Sequence, residues 1–159
     1  MENVIGRSED RRIRGIFTLS LPARRDAFEL LRERLAAAAA QFRMPERETD
    51  HLLIAADEVF SNIAEYAYPD DGGTVEVRLA ENSDGTALSM SFSDRGIPFD
   101  PLAAPPPDTA APPAERRIGG LGIHIVRHLM DGVAYRRTDD GRNLLTLTKL
   151  FPASAEVRP

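Results

Sequence analysis

The stretch Ala56-Asp57-Glu58-Val59-Phe60-Ser61-Asn62 lies inside the strongest helical periodicity of the chain. Leu52, Ala56, Val59, Phe60, Ile63 and Ala67 recur at spacings of three and four, which predicts one amphipathic helix. Pro45 fits its first turn, and Glu46 and Glu48 suit the positive end of its dipole. Pro69-Asp70-Asp71-Gly72-Gly73 is a turn signal that ends it. Glu58 and Asn62 are four residues apart and therefore share a helix face. That face borders the apolar stripe, so both side chains can reach a cleft at the edge of the core. A Glu so placed can take a proton from an attacking hydroxyl or water. An Asn oxygen is a hard neutral ligand suited to Mg²⁺. A plain solvated helix face would carry the same two residues, so the pair alone decides nothing.

Outward from this helix, strands and helices alternate. Ile13 to Ser20 reads as a first strand, and Pro22 sits where a helix can start. Phe28, Leu31 and Leu35, followed by five alanines, predict an amphipathic helix to Phe42. Thr74 to Ala80 and Ala87 to Ser93 both alternate apolar and polar residues, and Asn82-Ser83-Asp84-Gly85 joins them as a hairpin turn. Residues 101–114 hold six prolines and no apolar core, which predicts a long loop of lid type. A glycine-rich helix follows to about Met130, then strands Val133 to Thr138 and Asn143 to Phe151 around Asp139-Asp140-Gly141. This order predicts an α+β fold: a two-layer sandwich with a mixed, mostly antiparallel sheet covered by helices on one face. The expected domain is 13–151 with a lid over about 100–118, a loose N-terminus 1–12 and a tail 152–159.

The sequence of 159 residues is about one domain long, and 42% apolar residues suffice for a core. A net charge of -5 argues against a general nucleic-acid binder. There is one lysine, Lys149, so a cation aimed at phosphate is expected to be an Arg. The absence of cysteine excludes disulfides, thiolate zinc sites and a cysteine nucleophile. Met1 to Arg14 is polar and unlike a signal peptide, and no apolar run approaches the roughly 20 residues that span a bilayer. The expectation is a cytoplasmic protein without membrane contact.

Two further motifs accompany the first. Asp94-Arg95-Gly96-Ile97-Pro98-Phe99 ends a strand. A carboxylate at a strand end can accept a hydrogen bond from an exocyclic amine such as that of adenine, and Gly96 lets a ligand approach the backbone. Ordinary turn chemistry also explains Asp-x-Gly. Gly119-Gly120-Leu121-Gly122-Ile123 opens a helix, whose free N–H groups and dipole make an anion site. It has neither Walker nor dinucleotide spacing, and a hinge after the proline loop is the alternative. Arg116 and Arg117 lie just upstream, within reach of a terminal phosphate or simply solvated. His124 and His128 are four apart with no third metal ligand apparent, and His51 reads as a surface histidine.

Taken in order, DEVFSNIAEYAY, DRGIPFDP and GGLGIHIVRHLMD, supported by GRNLLTLTK, resemble the N, G1 and G2 boxes of the GHKL ATPase superfamily. The match resembles most the small bacterial anti-sigma-factor serine/threonine kinases of the RsbW/SpoIIAB type and spans about residues 13–151. The resemblance implies the Bergerat ATP-binding sandwich, with ATP and Mg²⁺ as cofactors. It puts Glu58 at the catalytic base and Asn62 at the Mg²⁺ ligand. Asp94 would hold the adenine amine with Gly96 against the base. Gly119, Gly120, Leu121, Gly122 and Ile123 would border the triphosphate, and Thr146 is the candidate threonine that binds adenine through water. The implied partners are a STAS-type anti-sigma antagonist, phosphorylated on a hydroxyl, a sequestered sigma factor and a second copy in a homodimer. Two positions depart from the broader pattern. Tyr66 stands where many members carry His, and Pro98 stands where broader GHKL proteins carry a second glycine; Pro98 is ordinary in the anti-sigma branch. The alternatives are a non-catalytic ATP-binding anti-sigma or adaptor module and a slow ATPase without a protein acceptor.

Overall fold

The computed structural model describes residues 13–70, 72–103 and 120–153. Strand β1 (Ile13–Pro22) leads through a short 3₁₀ turn into helix α1 (Phe28–Gln41) and helix α2 (Glu46–Asn62). Strands β2 (Thr74–Asn82) and β3 (Ala87–Asp94) follow, then helix α3 (Gly120–Leu129) and strands β4 (Gly132–Arg137) and β5 (Asn143–Leu150). The sheet runs β1-β2-β3-β5-β4, and all four pairings are antiparallel. The expected mixed sheet thus narrows to a fully antiparallel one.

Burial alternates along every central strand, so one face of the sheet is packed and the other is not. Val77, Phe92 and Leu145 lie in one cross-strand row on the packed face. Leu31 and Leu35 of α1, Phe60 of α2 and Val126 of α3 close over it, each fully buried. The apolar spacing read from the sequence is what turns these residues inward.

Three local details differ from expectation. Pro22 does not start a helix; it ends β1 opposite Thr74. Because β1 is an edge strand, the missing N–H costs no ladder bond to a further neighbour. The backbone leaves α1 through a Schellman closure, with Met44 N–H bonded to Ala39 O and Arg43 N–H to Ala40 O, both at 3.0 Å. Arg43 accordingly takes φ 56°, with no glycine to signal it. Finally, the helix expected to run regularly through Ala67 is α-helical only to Asn62 and widens into a π turn over Ile63–Ala67. The Ala67 carbonyl is then free to accept the Ile97 N–H at 2.9 Å, which ties the helix end to the loop after β3.

His51, expected at the surface, is half-buried, and its Nδ1 is buried without a hydrogen-bond partner among the described residues. An unpaired buried nitrogen costs about 1–3 kcal/mol. His51→Leu is therefore expected to raise the unfolding free energy by about 1 kcal/mol, read by urea denaturation. A lower midpoint in the variant would show that Nδ1 is in fact satisfied.

Candidate active site

Helices α2 and α3, the ends of β3 and β5, and the loop after β3 enclose a cleft with about 660 Å³ of empty space, counting its open mouth. Its walls are mostly apolar, with Ile63, Phe92, Ile97, Ile123 and Tyr135 among them. Three polar side chains interrupt this lining: Asn62, Asp94 and Asn143.

Asp94 is the deepest of the three, 4% exposed at the end of β3. Its Oδ1 accepts the Gly96 N–H and one Asn143 Nδ2 hydrogen, each at 2.9 Å. Among the described residues both hydrogen bonds to this carboxylate fall on Oδ1. Oδ2 is thereby the acceptor left for a donor entering the cleft. Asn143 also donates to Ile97 O at 2.9 Å, while its Oδ1 accepts from Tyr135 OH at 2.7 Å and Arg137 Nη1 at 3.0 Å. Asn143 is thus the hub of the cleft floor, and the sequence reading misses it. A signal was available: it is the one polar residue on the inward parity of β5 that falls level with Asp94.

The same parity corrects Thr146. Asn143 and Leu145 line the cleft. Thr146 is one residue out of phase and lies on the opposite face of the sheet, in the row of Ser91 and Ala134. It does not reach the cleft.

Glu58 and Asn62 do share a face of α2, and α3 meets them there. A Cβ built on Gly122 would stand 2.6 Å from Glu58 Oε2 and 3.8 Å from Asn62 Nδ2. A side chain here would have to displace the end of Glu58. Gly120 and Leu121 form the first turn of α3, and Ile123 is buried beneath it. Glu58 also borders a second depression between α1 and α2, with Arg32, Asp50, Ile54 and Asp57. Burial, and then the charge of neighbouring Asp57, raise the Glu58 carboxyl above its ordinary value near 4.5.

Gly96 is required for another reason than contact with a ligand. A Cβ there would clash with the carbonyl oxygen of Ala67 and lie 2.6 Å from the Ala67 Cβ. The glycine lets the loop after β3 dock on the π turn. Tyr68 adds a second tie, donating to Thr74 O at 2.7 Å and accepting the Arg95 N–H at 2.8 Å.

Arg116, Arg117, Gly119 and most of the expected lid lie outside the described residues, as do the N-terminal stretch 1–12 and residues 154–159. His124 and His128 face each other on α3 with ring centroids 5.6 Å apart. Among the described residues no group of three or more His, Asp or Glu residues could hold a metal. A nucleotide and Mg²⁺ fit the donors present: a carboxylate oxygen left for an amine, a glycine cradle at a helix start, and a carboxylate and an amide beside it. Mg²⁺ keeps several waters and needs only one or two protein oxygens when phosphates complete its shell, so three converging acids are not required. No helix among the described residues is long and apolar enough to cross a membrane.

Comparison with known proteins agrees with this geometry. Residues 21–149 match the family described as histidine kinase-like ATPase domain. The protein is 33% identical over 97 residues to the serine/threonine-protein kinase BtrW of Bordetella bronchiseptica, covering 61% of this sequence and 67% of that one. It is 24% identical over 131 residues to the serine-protein kinase RsbW of Bacillus cereus, covering 80% of each. Among solved structures, that of the RsbU and RsbW domains of Rv1364c from Mycobacterium tuberculosis superposes with a TM-score of 0.62 at 20% identity. It covers 87% of this protein and 34% of that one, and at this identity the likeness concerns the fold.

The two cleft glycines should respond differently to a methyl group. Gly96→Ala drives a Cβ into backbone and is expected to cost about 1–3 kcal/mol of stability. Gly122→Ala meets the movable end of Glu58, so stability should stay within about 0.5 kcal/mol while the carboxylate is displaced. Urea denaturation of both variants checks this, and equal losses would contradict it.

Proposed function

Because the chain belongs to the histidine kinase-like ATPase domain family, we propose that it is an ATP- and Mg²⁺-dependent protein-serine/threonine kinase of the anti-sigma-factor type. One observation carries the reading: Glu58 and Asn62 converge on Gly122 at the start of α3, at the rim of an apolar cleft floored by Asp94. The kinase names of the relatives support it. In this reading residues 13–151 form the ATPase domain, with the loop over about 100–118 as its lid.

Asp94 accepts the exocyclic amine of adenine on Oδ2, the oxygen not used by Gly96 and Asn143. The apolar walls take the faces of the base. Amides of the first turn of α3, from Gly120 to Ile123, face the phosphates, with Arg116 and Arg117 as candidate cations. Asn62 holds the Mg²⁺ through its amide oxygen. The nucleotide and its metal supply the phosphoryl group and the neutralisation of its charge. Glu58 would take the proton of the acceptor hydroxyl as that oxygen attacks the terminal phosphorus and ADP leaves with the bridging oxygen. The depression between α1 and α2, which shares no lining residue with the base pocket, would give an acceptor a way to Glu58 from solvent.

The proposed acceptor is a serine or threonine of a STAS-type antagonist, and in the antagonist's absence the protein sequesters a sigma factor. A homodimer would use the open sheet face, where Thr18, Arg78, Ser91, Thr146 and Ala134 form one exposed or half-buried row. The protein acts in the cytoplasm in this reading, without direct contact with nucleic acid or membrane.

Purified protein with Mg-ATP and a STAS-domain antagonist should yield a phosphoprotein, and Glu58→Gln should lower the rate by about 100-fold or more while retaining ADP binding. A stable complex without transfer in either protein would favour the adaptor function instead. The pH profile tests the base separately. Glu58 works ionised, and its raised pKa delays ionisation, so kcat/KM should rise along an acid limb placed above that of an ordinary carboxylate. Asp57→Asn removes the neighbouring negative charge and should move that limb to lower pH. An unmoved limb would mean that another group sets it.

A further inference from the structure

Helix α3 is held at both ends, and the far end meets the protein's single lysine. Lys149 lies on β5 in phase with the core residues Leu145 and Leu147, where a leucine would continue the pattern. It is instead an ammonium, 8% exposed. A charge in such a place is kept only where its contacts offset the lost hydration. Its Nζ donates to the carbonyl oxygen of Leu129, the last residue of α3, at 2.6 Å, and lies 3.9 Å from Asp131 Oδ2. The last carbonyls of a helix have no partner within it and form its negative pole, so the lysine caps the C-terminal end of α3 from the sheet.

Two more bonds complete the joint. Asp131 N–H donates to Thr148 O at 2.9 Å, and Asp131 Oδ2 accepts the Leu150 N–H at 2.7 Å. The helix end is thus tied to β5 by three directional bonds. Along its length α3 is held by Ile123 and Val126, with Met130 just beyond it, all buried. Apolar packing resists lifting the helix off the sheet but is non-directional, and so resists sliding along the axis less well. At the opposite end of α3, Gly122 stands beside the carboxylate of Glu58, with the Asn62 amide next to it.

We propose that Lys149 is a positioning residue for the phosphates of the nucleotide. By fixing the C-terminal end of α3 on β5, it sets how far the first amides of that helix stand from Glu58 and Asn62. The proposal rests on the nucleotide reading above. The base pocket is built differently: its polar floor, Asp94 and Asn143, is held by strand ends and the loop after β3, and α3 lends it only the apolar wall of Ile123 and Val126. Loss of the lysine contact should therefore be felt far more by ligands that carry phosphates, which need the directed amides of α3, than by a bare nucleoside, which meets only its apolar side.

The test is calorimetric titration of Mg-ADP and of adenosine into the wild type, Lys149→Met and Lys149→Gln. Methionine keeps most of the buried stem and removes the donor; glutamine keeps a polar head too short to reach Leu129. In both, Mg-ADP affinity is expected to fall by about fivefold or more, with adenosine changed by less than about twofold. Equal losses for both ligands would make Lys149 a general stabiliser, and unchanged Mg-ADP affinity would leave it no role in the site; either overturns the proposal. Failure of both variants to fold, seen by circular dichroism, would assign the lysine to the core and overturn it too. A wild type that binds neither ligand would instead sink the nucleotide reading on which the proposal rests.

Discussion

Asp94 ends β3 almost wholly out of water, and a carboxylate in that position survives only if donors are brought to it. The Asn143 amide and the Gly96 N–H meet that demand on one oxygen. The consequences spread from there. Asn143 can give two hydrogens and offers two lone pairs. Its hydrogens go to Asp94 and to the Ile97 carbonyl; its oxygen draws in Tyr135, Arg137 and, at 3.3 Å, the Phe99 N–H. This one amide thereby joins β3, β4, β5 and the loop that walls the cleft. Arg137 extends the network to the Gly96 carbonyl at 3.1 Å. The loop that looks irregular in sequence is among the most constrained parts of the molecule.

Helices and strands are legible in the sequence because each carries a periodic apolar signal. Phe60, Ile63 and Ala67 follow the helical period of α2, and Val75, Val77 and Leu79 follow the alternation of β2. What escapes is phase and closure. Residue type points to Thr146, yet a strand exposes each side chain to one face only, and the register with Ser91 puts this one outside. Asn143 is easily overlooked because it sits at the junction of a turn and a strand, where alternation has barely begun. The π turn after Asn62 leaves no mark at all. Its residues, Ile63-Ala64-Glu65-Tyr66-Ala67, read as ordinary helix, and only the demand of the Ile97 N–H for a carbonyl reveals the widening.

Glycine shows the same limit from another side. Gly96 and Gly122 look equivalent in a sequence, as small residues in turn-like or loop-like surroundings. Gly96 is a packing requirement, because backbone stands where its Cβ would be. Gly122 stands against the oxygen of a carboxylate instead, which brings a helix start, that carboxylate and an amide into one place. A motif identifies that a glycine is needed; its neighbours decide whether the need belongs to the fold or to the chemistry.

These differences divide the cleft into two halves with distinct physics. The half around Asp94, proposed to take the base, is preorganised: a buried carboxylate held by short, mutually dependent hydrogen bonds, with one acceptor left over. Reorienting that acceptor would break several bonds at once, so the half has one geometry and selects by hydrogen-bond sense. The half proposed to take the phosphates is assembled from separate elements, with Glu58 and Asn62 from α2 and the first turn of α3. Its precision depends on how two helices are held relative to each other. For phosphoryl transfer, which is mostly positioning and charge stabilisation, small displacements in that second half matter more than any in the first. Fixing α3 through its far end is then the economical solution. In the proposed function it steadies the amides at the start of α3 without placing a side chain beside Glu58, whose carboxylate a side chain at Gly122 would displace.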